Sequence, residues 1–139
     1  MTQKHSLACR MSKDEFLQRM IGVPWGMRAI GWDSVDCWGL VVMYYRHVLG
    51  LEFPPNNNYS TGAEFSSSYQ LGIQFWELSE RFNDCMFVAY NGKTPVHVGL
   101  IIDGQCLHAR EEGSHVRMDR IRTLERVFSK LEYYKYADH

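Results

Sequence analysis

The spacing of apolar residues changes along this sequence from a helical period to an alternating one. Up to about residue 82, apolar side chains recur three and four positions apart, which is typical of amphipathic helices. Beyond residue 84, short segments rich in valine, isoleucine and aromatic residues are separated by turn residues, as strands are. Helices first and strands second predict an α+β domain, with N-terminal helices packed on a central antiparallel sheet of about five strands.

Length and composition fit one globular domain. The chain has 139 residues, enough to bury a substantial core. We predict a flexible N-terminal arm over residues 1–11 and a single domain over residues 12–139. The formal net charge of −1 gives no reason to expect nucleic acid or an anionic membrane as the main partner. No apolar run reaches the roughly eighteen residues of a transmembrane helix, so membrane insertion is not expected either.

The cysteines are placed singly along the chain. Cys9, Cys37, Cys85 and Cys106 include no C-x-x-C pair. This spacing argues against a zinc ribbon and against a disulfide framework, and it is compatible with one reactive thiol. We therefore expect no metal and no other cofactor.

Capping residues and periodicity predict three helices. Ser12 and Glu15 form a capping-box pattern at the start of the first. Asp33 or Ser34 is the predicted N-cap of the second, and Gly50 is favoured just after its end. The predicted helices run from Ser12 to Met20, from Cys37 to Leu49 and from about Phe65 to Phe82, with an exposed loop at residues 54–58 before the last.

Cys37 lies in the first turn of the second predicted helix. A thiol at this point is in the positive end of the helix dipole, which favours the thiolate, the form that attacks carbonyls. The alternative is a buried structural cysteine on an apolar helix, because free cysteine is among the most buried residue types. Two histidines further along the chain favour the first interpretation.

Five short segments in the second half are predicted strands, and a helical turn is predicted at residues 119–128. The strands are Cys85–Tyr90, Val96–Ile102, Gln105–Arg110, His115–Met118 and Leu131–Tyr136. The Asp103–Gly104 dipeptide between the second and third predicts a two-residue type I′ turn. Such a turn pairs Ile102 with Gln105.

This pairing places His97 and His108 on the same face of the sheet. Side chains alternate between faces along a strand, so the two histidines become diagonal neighbours roughly 7–8 Å apart at Cα. A register shift of one residue would put them on opposite faces. The inference therefore depends on the turn.

A cysteine at a helix start and two adjacent histidines are the components of an activated thiol. One imidazole takes the thiol proton, and a further polar group fixes the orientation of that imidazole. The alternative is that His97 and His108 are half-buried sheet residues satisfied by backbone or water. A zinc site from both histidines and a cysteine is disfavoured, because zinc sites usually contain a closely spaced ligand pair.

Three motifs resemble those of the NlpC-type papain-like peptidases of bacterial cell walls. Asp36–Val41 is similar to the nucleophile motif, His97–Leu100 to the base motif, and Leu107–Ala109 to the third catalytic position. The resemblance covers the chain from about Lys13 to Tyr136. Trp38 and the segment Leu49–Pro54 are most similar to members found among bacteriophage tail proteins, whereas wall enzymes of the family more often have serine at the position of Trp38.

The resemblance implies a role for each matching residue. Cys37 would be the nucleophile, His97 the general base and acid, and His108 the orienting group. Asp36 matches an aspartate that helps to receive the free amine of a peptidoglycan stem peptide. Trp25 stands where the family has a tyrosine near the oxyanion; its indole N–H can donate but not accept, and packing at the cleft edge is an equally good explanation.

The implied reaction is hydrolysis of an amide bond of the peptidoglycan stem peptide, with the γ-D-glutamyl linkage as the family's suggestion. The tail-like motif adds other phage tail proteins as possible partners. Residues 1–13 are polar and lack the apolar core of a signal peptide, so we expect synthesis in the bacterial cytoplasm and delivery to the wall in a virion tail. Two alternatives stay open: a catalytically idle structural protein of tail assembly, and a thiol amidase or acyltransferase that acts on another substrate.

Overall fold

The computed structural model describes residues 10–53, 73–111 and 113–137. They form three α-helices and one antiparallel sheet of six strands, in the order β1-β6-β2-β3-β4-β5. The predicted α+β fold is therefore confirmed. The elements are α1 (Lys13–Met20), α2 (Cys37–Tyr44), a π-helical turn (Tyr45–Leu49), β1 (Trp76–Ser79), β2 (Met86–Asn91), β3 (Thr94–Ile102), β4 (Gln105–His108), β5 (Arg117–Arg120), α3 (Ile121–Val127) and β6 (Lys130–Tyr136).

The helix predicted over residues 65–82 is wrong where the structure describes it. Residues 65–72 and the predicted loop at 54–58 lie outside the described residues, but Trp76–Ser79 is a strand that pairs with β6. Leu78, which the helical pattern places on the apolar side, is 64% exposed. Trp76 is buried against Tyr45 and Tyr136 instead. The apolar residues of this segment follow a helical spacing, but only a few of them do so. Pairing with β6 at the sheet edge and the aromatic contacts of Trp76 favour the strand more strongly.

The first helix begins as its sequence predicts. The Ser12 side chain accepts from the Glu15 backbone, and the Glu15 side chain accepts from the Ser12 backbone, which completes a capping box. Of the arm predicted over residues 1–11, residues 1–9 lie outside the described residues. Met11 donates from its backbone to the His47 carbonyl, and Arg10 donates to the Val48 carbonyl, so these two residues are held against the π-helical turn.

The second helix is the centre of the larger core. All eight residues of α2 are buried, which is expected of a helix that is apolar on every side. Its N-cap is Asp36, not Asp33 or Ser34 as predicted, because the Asp36 carboxylate accepts from the Gly39 backbone. Gly50 ends the π-helical turn in the left-handed conformation, with φ of 73°, in the role predicted for it.

The sheet separates two cores. Helix α2 packs on one face, against side chains such as Val98, Leu100 and Leu107, and α1 joins the same core through Phe16 and Met20. The opposite face carries Phe87, Ile101 and Cys106, and α3 covers it. The third helix thus lies across the sheet from the other two.

Candidate active site

Cys37 is the first residue of α2, and a network of backbone contacts fixes its position. Asp36 Oδ1 accepts from the Gly39 N–H at 2.7 Å, and Asp36 Oδ2 accepts from the Arg28 N–H at 3.0 Å. A Cβ on Gly39 would collide with the Ala29 carbonyl, so glycine permits this close approach of loop and helix. Sequence, cap and packing together hold the thiol at the helix N-terminus.

Burial, not the helix dipole, controls the ionisation of Cys37. Burial and the neighbouring Asp36 carboxylate raise the pKa of the Cys37 thiol to about 12, while backbone hydrogen bonds from Val98, Trp38 and Cys37 itself act in the opposite direction. The sequence predicts a lowered pKa, and this prediction is wrong. A helix dipole contributes about 0.3–1 kcal/mol, less than one pKa unit, whereas burial can shift a pKa by several units.

The two histidines meet as the hairpin predicts. Ile102 pairs with Gln105 and Ile101 with Cys106, so the register of the turn is confirmed. His97 Nε2 lies 2.9 Å from His108 Nδ1, in hydrogen-bond contact. Both rings are buried, with exposures of 4% for His97 and 1% for His108.

Aromatic rings enclose the histidine pair. Phe128, which follows α3, stacks on His97 with ring centroids 5.7 Å apart. Phe87 lies edge-on to both imidazoles and fills the space above Gly99. A Cβ on Gly99 would stand 2.5 Å from the Phe87 ring, so this strand position accepts only glycine without rearrangement. The pair is therefore held rigidly and kept from bulk water.

Asp119 extends the chain of contacts beyond His108. His108 Nε2 lies 2.8 Å from Asp119 Oδ2, and Arg117 contacts both carboxylate oxygens, at 3.0 and 3.1 Å. The sequence prediction missed Asp119, because it ended the strand at Met118 and assigned residue 119 to a helical turn. Extending that strand by one residue would have placed Asp119 opposite Cys106, on the same face as His108.

Both imidazoles are neutral at physiological pH in this environment. Burial, then His108 and Arg110, hold the pKa of His97 well below its ordinary value. Burial also lowers the pKa of His108, against the opposing effect of its hydrogen bond to Asp119. Burial alone would raise the pKa of Asp119, but its contacts with His108 and Arg117 outweigh burial and lower it. Asp119 is thus ionised.

The thiol and the histidine pair are neighbours through the backbone. The Val98 backbone amide, which follows His97 in β3, acts on the Cys37 thiol and lowers its pKa against the effect of burial. In the part of the chain that the structure describes, Cys37 and His97 share no hydrogen bond of their own. Contacts of this kind often tighten only when substrate binds.

Trp25 and the other cysteines occupy different positions. Trp25 is partly buried against the larger core, and its backbone N–H donates to the Ser114 carbonyl at 3.0 Å. Its predicted role at the oxyanion stays a prediction. Cys85 and Cys106 are fully buried in the core under α3, and Cys9 lies outside the described residues.

Within residues 10–53, 73–111 and 113–137, no three His, Cys, Asp or Glu side chains are grouped so as to hold a metal ion. None of the helices in these same ranges has the length and apolar character needed to cross a bilayer.

Family comparison agrees with this geometry. The model of the NlpC/P60 family matches residues 22–132, which contain the cysteine, both histidines and Asp119. The chain belongs to the NlpC/P60 family. No curated protein matches the chain in a sequence search.

Solved structures show the same NlpC/P60 fold at low sequence identity. The NlpC/p60 domain of the peptidoglycan hydrolase SagA is 17% identical with a TM-score of 0.56, over 96% of this chain and 97% of that domain. An NlpC/P60 family protein from Bacillus cereus is 18% identical with a TM-score of 0.59, over 92% of this chain and 41% of that protein. A hypothetical invasion protein of Mycobacterium tuberculosis is 19% identical with a TM-score of 0.54, over 98% and 65%.

Proposed function

We propose that this protein is a cysteine peptidase that hydrolyses an amide bond of the peptidoglycan stem peptide. The observation that carries the proposal is the hydrogen bond of 2.9 Å between His97 and His108, formed one residue from Val98, whose backbone amide lowers the pKa of the Cys37 thiol. A helix-terminal thiol and a buried imidazole pair provide, in this order, a nucleophile, a base and a group that orients the base. Membership of the NlpC/P60 family, and the name of SagA as a peptidoglycan hydrolase, support the substrate class.

An open strand edge allows the thiol and His97 to meet. Helix α2 packs on one face of the sheet, whereas the His97 ring lies on the other face, beside Phe87 and Phe128. The pairs of β3 with β4 end at Leu100, so β3 extends beyond β4 at the level of His97 and Val98. Side chains from opposite faces can approach each other around an edge of this kind. The Val98 amide on this strand is one of the groups that lower the pKa of the Cys37 thiol.

The mechanism is acyl transfer to water. His97 removes the thiol proton while the Cys37 sulfur attacks the amide carbonyl, because a thiol with a raised pKa is mostly protonated before the reaction. The imidazolium then protonates the leaving amine, and the acyl group remains on sulfur. Water, deprotonated by His97, releases the acid and restores the thiol. His108 holds the base in place through its hydrogen bond.

The bond is proposed to be the γ-D-glutamyl linkage, as the family resemblance implies. Asp36 is proposed to bind the free amine of the stem peptide. Its two oxygens accept from the Gly39 and Arg28 backbones, so its charge is fixed one residue from the nucleophile. The backbone N–H of Cys37 and the indole of Trp25 are proposed donors to the oxyanion.

Digestion of purified muropeptides, followed by mass spectrometry, tests the activity and identifies the bond. Cys37→Ala and His97→Ala should each abolish hydrolysis, while His108→Ala should leave a measurable rate, because an orienting group is less essential than a nucleophile or base. His115→Ala, which changes an exposed histidine, is the matched control and should keep full activity. Equal residual rates for all three site variants would contradict these roles.

The same assay, run on muropeptides and on other amide and thioester substrates, distinguishes the alternatives. Intact muropeptides with turnover of another amide or a thioester would indicate a thiol amidase or acyltransferase. Intact substrates of every class, in a folded protein, would indicate the idle structural protein. Either result overturns the peptidase proposal.

We further propose that the protein is synthesised in the bacterial cytoplasm and becomes part of a bacteriophage tail. In that tail it reaches the bacterial cell wall. The support is the similarity of Trp38 and of the segment Leu49–Pro54 to tail-associated members of the family. Trp38 is buried against Phe53 and Trp76, so this residue is built into the core beside the nucleophile. Mass spectrometry and immunogold labelling of purified virions test the location, and absence from finished particles would eliminate a role in entry.

A further inference from the structure

We propose that Asp119 is a positioning residue that sets the tautomer of His97 through His108. This inference rests on the proposed peptidase function, because it assigns which ring nitrogens of the proposed base, His97, and of its neighbour His108 carry protons. Asp119 touches neither the thiol nor a substrate site and acts only through the histidine between. The relationship was not visible in the motifs, since residue 119 lies on a strand that the motifs do not include.

The geometry forms one continuous line of hydrogen bonds. Asp119 Oδ2 lies 2.8 Å from His108 Nε2, and His108 Nδ1 lies 2.9 Å from His97 Nε2. His108 uses both of its ring nitrogens in this line. His97 uses only Nε2, so its Nδ1 is the end of the line. Both rings are buried, so these contacts are not shared with bulk water.

The donors and acceptors in this line can be assigned from its far end. An ionised carboxylate only accepts, so His108 must donate from Nε2 to Asp119. A neutral His108 then has an unprotonated Nδ1, which must accept from His97 Nε2. A neutral His97 is in turn left with an unprotonated Nδ1. That nitrogen carries the lone pair required to take a proton from a thiol.

Arg117 keeps Asp119, at the far end of the line, in its ionised form. Its guanidinium contacts both Asp119 oxygens, at 3.0 and 3.1 Å, and cannot accept a proton. It therefore favours the carboxylate and fixes the oxygen that faces His108. When His97 becomes an imidazolium during the reaction, the polarised line places negative charge behind it, although the proton stays on His97.

Nitrogen NMR of the imidazoles tests the assignment without any need for turnover. Long-range ¹H–¹⁵N spectra of the full chain, with signals assigned by His97→Gln and His108→Gln, should show an unprotonated Nδ1 on both rings at neutral pH. Protonated Nδ1 on His97 in the wild-type protein would overturn the proposal, whatever the variants do. This readout also separates the proposal from the peptidase function, since it is the same in an inactive protein.

Variants at residue 119 add the kinetic consequence. In Asp119→Ala both imidazoles should lose their fixed tautomer, and kcat on muropeptides should fall at least about tenfold with KM little changed, because no substrate contact is removed. Asp119→Glu should restore part of both the tautomer and kcat. Glu77→Ala removes a different carboxylate from a surface ion pair with Lys135, far from the β3–β4 turn, and is the matched control, expected to change neither.

The outcomes are distinct. A folded Asp119→Ala protein with wild-type tautomers and wild-type kcat would reject the positioning role while leaving the peptidase function standing. Fixed tautomers in the wild-type protein, lost in Asp119→Ala, with no hydrolysis by either, would support the line of hydrogen bonds and reject the function. A fall in kcat with unchanged tautomers would reject the proposed cause.

Discussion

The backbone N–H of Gly39 donates a hydrogen bond of 2.7 Å to Asp36 Oδ1, and Cys37 lies between the two residues. This contact caps α2 and determines where the nucleophile stands relative to the helix axis. It also brings a negative charge next to the thiol, which contributes to the raised pKa of Cys37. Asp36 therefore has two separable properties, an acceptor oxygen and a charge.

Replacing Asp36 separates these properties. Asp36→Ala removes the cap and should lower the free energy of unfolding by about 1–2 kcal/mol in urea denaturation. Asp36→Asn keeps one acceptor oxygen for the Gly39 N–H but turns its amide nitrogen toward the Arg28 N–H, so only part of that stability should remain, and loss of the charge should lower the pKa of Cys37. If Asp36 also binds a substrate amine, Asp36→Asn should raise KM for muropeptides. An unchanged KM in the stable asparagine variant would limit Asp36 to the helix cap.

Gly99 provides a test of how tightly the histidine pair is enclosed. In Gly99→Ala the new Cβ would stand 2.5 Å from the Phe87 ring and 2.7 Å from the Leu107 carbonyl. We expect a loss of about 1–3 kcal/mol in the free energy of unfolding, because a well-packed core resists added volume. Gly31→Ala is the control, since the nearest atom to its Cβ is 3.9 Å away, and should change stability by less than about 0.5 kcal/mol. Equal stability of both variants would mean that the Phe87 ring can move away from residue 99 at little cost in free energy.

Local signals predicted most of the fold. The Asp103–Gly104 turn gave the register, and the register brought His97 to His108, because alternation along a strand is strict. The strand at Trp76–Ser79 was not predictable, since its stability comes from distant partners such as Tyr136. The raised pKa of Cys37 was missed for a similar reason. Helix position can be inferred from sequence, whereas the degree of burial depends on packing by the whole domain.

The pH dependence of alkylation tests the ionisation of Cys37. With a pKa of about 12, the thiolate fraction should rise about tenfold per pH unit between pH 7 and 10, and the iodoacetamide rate with it. In a Cys9→Ser background, Cys37 should react before Cys85 and Cys106, because it is 9% exposed while both others are fully buried. Peptide mapping by mass spectrometry measures the rates. A rate that is already constant near pH 7 would show a thiolate–imidazolium pair instead.

Acid should destabilise the protein through its buried histidines. Folded-state pKa values below the unfolded value of about 6.5 mean that the unfolded chain binds more protons than the folded one as pH falls below about 6.5. The stability from the neutral imidazoles is thus complete above pH 6.5 and decreases below it, by up to about 1.4 kcal/mol per pH unit for each histidine. Asp119 also has a lowered pKa, but its contribution is lost only below about pH 4, so it does not obscure this window.

Urea denaturation at a series of pH values from about 7.5 to 5 measures this slope. His97→Gln should reduce it by the share of one histidine, and His115→Asn, which replaces an exposed histidine, is the control for the substitution itself. His47 is partly buried with a lowered pKa, so it contributes in the same direction in every variant and cancels in the difference. An identical slope in wild-type and His97→Gln proteins would mean that His97 can take up a proton without opening the fold. In that case the enclosure by Phe87 and Phe128 would not keep the imidazole neutral.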